Sequence, residues 1–295
     1  MSGKTILILG GGVGGLVTAS ELRRQLSREH RILLIDREAK HLHNPSLLWL
    51  MLGWREPKKI QANLRQLARQ GIEFVQAEIE TIDPRKRKVH SQLEGKYIGD
   101  YMVIALGAQP APELTPGFED VAHSPYTLEG ASHLRDALRK FQGGRIVITI
   151  TGLPYRCPAA PYETAIMIHT YLKERGLRER VELQMITPEG IPMGTAGPEI
   201  AQAVKSMLTL RDIPYRPLTA TQSIDVEAQE LVLETDERVP FDLLVGVPPH
   251  RSPDVVRASG LANDAGWIPV DANTLATRFD GVYALGDVTT IPLPG

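Results

Sequence analysis

The stretch Lys4–Asp36, KTILILGGGVGGLVTASELRRQLSREHRILLID, constrains this chain more than any other. Thr5 to Leu9 is aliphatic and β-branched. From Ile6 on no polar residue alternates within it, so a strand buried on both faces is expected. Gly10, Gly11, Gly12, Gly14 and Gly15 follow at once. Leu16 to Leu26 keeps apolar residues at helical spacing, and a second apolar run, Arg31 to Ile35, ends at Asp36. The order is strand, glycine turn, helix, strand, acid.

A bound dinucleotide needs that order. Gly10 permits the tight turn out of the strand. Gly12 removes a side chain where a pyrophosphate approaches the backbone, and Gly15 lets the helix pack close to the sheet. The free N–H groups at the helix start then face phosphate. Asp36, 21 residues after Gly15, is placed to accept hydrogen bonds from an adenosine ribose. A glycine turn that served packing alone would not account for the acid.

The chain has 295 residues, enough for two domains with real cores. Thirty-three basic residues against 35 acidic ones leave a net charge of −2, so nothing points to nucleic acid. The basic run Arg85 to Lys88 follows the turn dipeptide Asp83-Pro84 and reads as a solvated hairpin tip. The first strand begins within five residues of Met1, so no leader is expected, and no apolar run reaches the roughly 18 residues of a membrane span. A single cysteine, Cys157, excludes an internal disulfide and fits a reducing, cytoplasmic compartment.

The run Ser46 to Leu52 reads as a short helix too apolar to lie in water. It packs as core, or under a ligand or partner; beside Asn44-Pro45, it is expected to flank the ligand pocket. His41 and His43 lack neighbouring ligands for a metal. Ile60 to Arg69 reads as an amphipathic helix, Ile72 to Ala77 as a strand, and Glu78 to Ala105 as a meander ending in the buried strand YMVIALG. Prolines at 110, 112 and 116 read as an extended linker. A second β-α-β plan follows: a helix over 128–141, strands at 145–151, 181–187 and 241–247, helices at 162–175 and 198–211, and a hairpin across 223–239. The fold class is α/β with two Rossmann-like dinucleotide-binding domains, the second degenerate. The first takes residues 1–112 and 248–295 and the second 113–247.

The second unit lacks G-x-G-x-x-G. Gly152 to Glu163 reads GLPYRCPAAPYE, and three prolines remove three N–H donors. In their place stands Cys157, just before a helix N-terminus and beside Arg156, both of which favour thiolate. The alternative for Cys157 is a small buried apolar residue. Glu163 follows in the first helical turn, as a proton carrier or as an acid that merely suits the helix dipole.

Five stretches resemble the sulfide:quinone oxidoreductases and the flavin subunit of flavocytochrome c sulfide dehydrogenase, within the two-dinucleotide-domain flavoproteins that include type II NADH dehydrogenases. They are GGGVGG with Asp36, HNPSLLWLMLGWREP, YMVIALG, YRCPAAPYE, and FDLLVGVPPHRSP with GWIPVDANTLATRFDGVYALGD. The resemblance implies FAD held by Gly10, Gly12, Val13, Gly14, Gly15 and Asp36. Arg37, Pro45, Ser46, Ala77, Glu78, Ala105, Gly107, Gly286 and Asp287 complete the implied cofactor site, with Asp287 at the ribityl chain. Cys157 is then one of two cysteines that carry sulfur, and sulfide and a quinone are the substrates; Glu163, from its place in the first helical turn, is the second candidate catalytic residue. The resemblance also implies a second redox cysteine, a helix after GVYALGD and membrane-docking helices, all expected beyond Gly295. The chain is then a fragment or truncated form, whose end leaves apolar surface exposed. Peripheral contact with the inner face of the membrane would come through that region, and a homo-oligomer is left open. Many members carry a further cysteine where this chain has Tyr126. The competing readings are an NADH:quinone oxidoreductase and a non-catalytic FAD-binding subunit.

Overall fold

The structure, a computed structural model, describes residues 3–92 and 95–291. The chain divides into two units. The first comprises residues up to Leu42, Gln61–Gln109 and the chain from Arg251 onward; the second comprises His43–Ile60 and Pro110–His250. The expected boundary left 43–60 with the first unit, and the structure moves it to the second. The reason is apolar burial. Leu47, Leu48, Leu50 and Met51 are buried, and their short helix packs against two long helices of the second unit.

Both units are built on a parallel sheet. The first supplies β1 (Thr5–Leu9), β2 (Arg31–Asp36), β3 (Glu73–Gln76) and β4 (Tyr101–Ile104). The second supplies β5 (Gly144–Ile150), β6 (Val181–Ile186), β7 (Tyr215–Arg216) and β8 (Leu243–Val247), and β9 (Val282–Ala284) returns to the first. The sheet orders are β9-β4-β1-β2-β3 and β7-β6-β5-β8, every pair parallel. Four strands of the first sheet, β3-β2-β1-β4, therefore repeat as β7-β6-β5-β8. The longer helices are α1 (Val13–Gln25), α3 (Leu128–Lys140), α4 (Ala160–Glu174) and α5 (Pro198–Thr209), with the short α2 at Leu47–Leu50.

The apolar run of β1 is continuous because both its faces are covered. Leu7 and Leu9 join a core with Leu33, Ile35, Met102 and Val282, while Ile6 and Ile8 join another with Ala19 of α1, Ile32 and Leu34. In the second unit Phe118, Val147, Ile186, Phe241 and Leu244 share a core with the three-stranded sheet Thr221–Asp225, Glu230–Leu233 and Arg238–Pro240.

Two local expectations fail. Ile60–Arg69 is not an α-helix: Gln61–Asn63 is extended and pairs with Lys40–Leu42, and Leu64–Gln70 is 3₁₀. Asn63 caps that turn by accepting from the Arg65 N–H at 2.9 Å. Leu64 and Leu67 are its buried residues, three apart, the repeat of a 3₁₀ helix. The proline-rich linker is also structured, with a 3₁₀ turn at Pro112–Leu114 and a helical turn at Phe118–Val121 that buries Phe118. The expected exposed chain end lies outside the described residues. Among the described residues no helix is long and apolar enough to cross a membrane.

Candidate functional site

In the first unit the glycine turn is shaped by contacts a side chain would break. Gly10 leaves β1 at φ +105°, and its N–H donates to Ile35 O at 2.9 Å. A Cβ on Gly15 would lie 1.9 Å from Gly10 O, and one on Gly14 would lie 2.5 Å from Leu285 Cδ1. A Cβ on Gly12 would meet nothing within 4 Å. Gly10, Gly14 and Gly15 therefore answer to packing, whereas Gly12 faces open space, the cradle a diphosphate would fill. No side chain caps α1, no acid sits in its first turn, and Val13 is exposed. Its first N–H groups and dipole are positioned for an anion.

Asp36 ends β2 beside this turn. One carboxylate oxygen accepts from the Gly11 N–H and the other from the Glu38 N–H at 2.7 Å. His41 Nδ1 donates to Gly11 O at 3.0 Å, fastening the same turn from the other side. Ala77 N–H donates to Asp36 O, and Ala105 N–H to Leu9 O. Arg37 lies 3.8 Å from Glu78 in an exposed ion pair. Gly107 and Gly286 both have positive φ with open space where a Cβ would stand, and Asp287 lies in the 3₁₀ turn Gly286–Val288. Leu285 sits between that turn and Gly14, so the end of β9 reaches the glycine turn.

Pro45 and Ser46 fold with the second unit. Ser46 is buried, its hydroxyl 2.8 Å from His43 Nδ1. Pro45, Leu48 and Trp49 line a cavity of about 370 Å³ whose opposite wall is Glu163, Ile166 and Met167 of α4. The exposed carboxylate of Glu163 thus stands in the first turn of α4 over an apolar groove.

Cys157 is exposed, not a buried apolar filler. It lies in the loop before α4 with φ +54°, left-handed backbone that few residues with a Cβ adopt. Its carbonyl accepts from Ala160 N–H at 3.0 Å and from the Tyr126 hydroxyl at 3.2 Å. Arg156 sends one guanidinium N–H to Tyr126 O at 2.7 Å. Tyr126 is buried and meets the edge of His250 with ring centroids 5.2 Å apart. Burial, followed by the negative charge of Cys157, pushes the Tyr126 phenol well above its ordinary range.

Behind this loop Tyr162 donates to Glu189. Glu189 follows β6 much as Asp36 ends β2, yet tyrosine hydroxyls surround it. Burial first, then Glu189, raises both Tyr155 and Tyr162 far above the usual phenol range. The sequence reading weighed His41 only as a metal ligand, quoted His250 and Tyr162 only inside longer stretches, and missed Glu189. Glu189 was findable, since the second β-α-β plan places it after its second strand. Among the described residues no group of three His, Cys, Asp or Glu side chains is disposed to hold a metal.

A family model, "Pyridine nucleotide-disulphide oxidoreductase", matches residues 4–294. The chain belongs to that family. Within the pyridine nucleotide-disulphide oxidoreductases it is similar to the mitochondrial sulfide:quinone oxidoreductase of Mus musculus, 26% identical over 97% of this chain and 66% of that protein. It is similar to the demethylphylloquinone reductase of Synechocystis, 31% identical over 96% of this chain and 71% of that one. The solved sulfide:quinone oxidoreductase of Aquifex aeolicus superposes with a TM-score of 0.90 at 28% identity, over 98% of this chain and 69% of that one. The chain spans about two thirds of the length of the curated relatives it matches.

Proposed function

We propose that this pyridine nucleotide-disulphide oxidoreductase binds FAD and oxidises sulfide, with a quinone as electron acceptor. The observation that carries the reading is Cys157: an exposed thiol on strained backbone, in the loop where a nicotinamide site would keep glycines. The similarity to sulfide:quinone oxidoreductases of mouse and Aquifex supports it.

The α1 N–H groups and the open space at Gly12 would take the FAD diphosphate, and Asp36 the adenosine ribose. Bound FAD supplies a two-electron acceptor. Sulfide attacks sulfur held on Cys157 Sγ; an S–S bond forms to the incoming sulfur, and the bond to the second cysteine's sulfur breaks. That second sulfur leaves as thiolate with the electron pair. Glu163, exposed on its groove, takes the proton that sulfide loses. The second cysteine is not among these 295 residues, whose single cysteine is Cys157. A cytoplasmic site, peripheral on the inner face of the membrane, belongs to the same proposal.

The Synechocystis relative favours a second reading, reduction of a quinone by a nicotinamide nucleotide. Against it stand the three prolines of the second unit's loop and the Tyr162 hydroxyl on Glu189. An anaerobic visible spectrum of the purified protein, titrated with sulfide and separately with NADH, tests both. Bleaching of a bound flavin by sulfide alone supports the proposal. Bleaching by NADH moves the chain to the second reading, and a flavin untouched by either reductant leaves a non-catalytic binding subunit.

A further inference from the structure

Cys157 does not hold its conformation unaided. Left-handed backbone at a residue with a Cβ costs free energy, and it persists only where the surroundings over-determine it. Here three segments of the second unit do so. Tyr126 lies before α3, its hydroxyl donating to Cys157 O at 3.2 Å. Arg156 returns a bond to Tyr126 O at 2.7 Å, with its guanidinium carbon 5.8 Å from the Tyr126 ring centre. Two side chain to backbone bonds therefore cross between the segments in opposite directions, Tyr126 to Cys157 O and Arg156 to Tyr126 O.

His250, after β8, closes the far side. Its backbone N–H donates to Pro154 O at 2.7 Å, and its ring backs the Tyr126 ring. Its Nδ1 lies 3.0 Å from Pro248 O, so Nδ1 carries the proton and Nε2 is bare. That Nε2 is buried with no hydrogen-bond partner among the described residues, on a side chain 3% exposed. A buried polar atom left unpaired is costly, and its survival here marks a ring held for its shape against Tyr126.

We propose that Tyr126 is a positioning residue for Cys157: its hydroxyl, held in place by Arg156 and His250, fixes the Cys157 peptide and thereby presents the thiol. In a chain where tyrosine stands at this position, the hydroxyl does its work through the cysteine's backbone. The proposal rests on the reading that Cys157 carries the sulfur chemistry, and it extends that reading to the residue that aims the thiol.

The test is the rate of Cys157 alkylation by iodoacetamide across pH 5.5 to 9.5, on the full chain as purified, for wild type and Tyr126→Phe. Phenylalanine keeps the ring and its packing on His250 and removes only the hydroxyl. The limiting rate is expected to fall about fivefold, the population change that one ordinary hydrogen bond supports, and the midpoint of the pH profile to shift. A purely packing role predicts an unchanged profile. A limiting rate within about twofold of wild type at an unshifted midpoint, or a rise, overturns the proposal. Arg156→Gln removes the guanidinium bond to Tyr126 O and must move the limiting rate in the same direction. It carries the test alone if Tyr126→Phe does not fold. Alkylation needs neither sulfide nor flavin, so failure of the sulfide reading leaves this result legible on its own.

Discussion

The Tyr162 hydroxyl donates to Glu189 Oε2 at 2.5 Å, and the Thr187 hydroxyl reaches the same oxygen at 3.2 Å. In the first unit the corresponding acid, Asp36, takes backbone N–H groups beside an open glycine turn. Two sheets of one topology thus end in acids with opposite fates. One is held by backbone N–H groups beside an open turn, and the other is capped by side-chain hydroxyls. A hydrogen bond to a charged acceptor from a buried donor contributes about 1.5–3 kcal/mol. Tyr162→Phe is expected to lower unfolding free energy by about 2 kcal/mol, read from urea melts followed by circular dichroism. A midpoint equal to wild type would show the pair to be idle.

Gly15 and Gly12 separate packing from binding. Gly15→Ala drives a Cβ onto Gly10 O, a backbone atom that cannot yield, and should destabilise the first unit by about 3 kcal/mol. Gly12→Ala enters open space and should cost about 1 kcal/mol or less. It should nevertheless lose flavin, because the methyl occupies the diphosphate cradle. Flavin absorbance per protein, measured beside thermal melts, distinguishes the two. Equal flavin retention in Gly12→Ala and wild type would remove the cradle from the site.

His250 makes stability fall with acid. Burial first, then the Arg156 charge, holds its imidazole at about 4 against an ordinary 6.5. Above pH 6.5 it is neutral in both folded and unfolded chains, and its full contribution is present. As pH falls from 6.5 to about 4 the unfolded chain binds the proton first, so stability is lost, by about 3 kcal/mol over the window. Urea midpoints across that window should show the slope in wild type, and His250→Asn should flatten it.

Cys157→Gly trades activity for stability. Glycine adopts φ +54° without the steric cost that cysteine bears. The variant should gain about 1 kcal/mol in unfolding free energy while losing flavin bleaching by sulfide. Destabilisation would mean that the thiol's own contacts outweigh the strain.

The first β-α-β unit was legible because its signals are local. An apolar run, a glycine turn, helical spacing and a terminal acid all lie within Lys4–Asp36, and the structure returns them as β1, α1 and β2. The second unit's strands were legible for the same reason. Ile60–Arg69 misled, because its apolar residues fit a helix while Asn63 was free to cap a 3₁₀ turn. Residues 43–60 misled because sequence adjacency joined them to the first unit, while four buried apolar side chains pack on α3 and α4. The contacts of His41 with Gly11 and of His250 with Tyr126 and Pro154 join residues distant in sequence, so no local pattern announces them.

Local pattern by itself determined the two parallel sheets, the glycine turn with Asp36 beyond it, and the thiol before α4, since strand burial, turn chemistry and helix starts depend on neighbours in the chain. Tertiary structure alone decided that Cys157 is exposed in a left-handed turn, that Tyr126 and Arg156 hold it there, and that Glu189 is capped by Tyr162. Those contacts join segments 27 to 31 residues apart. Their energies come from burial and hydrogen-bond geometry, which exist only once the second sheet has brought its strand ends together.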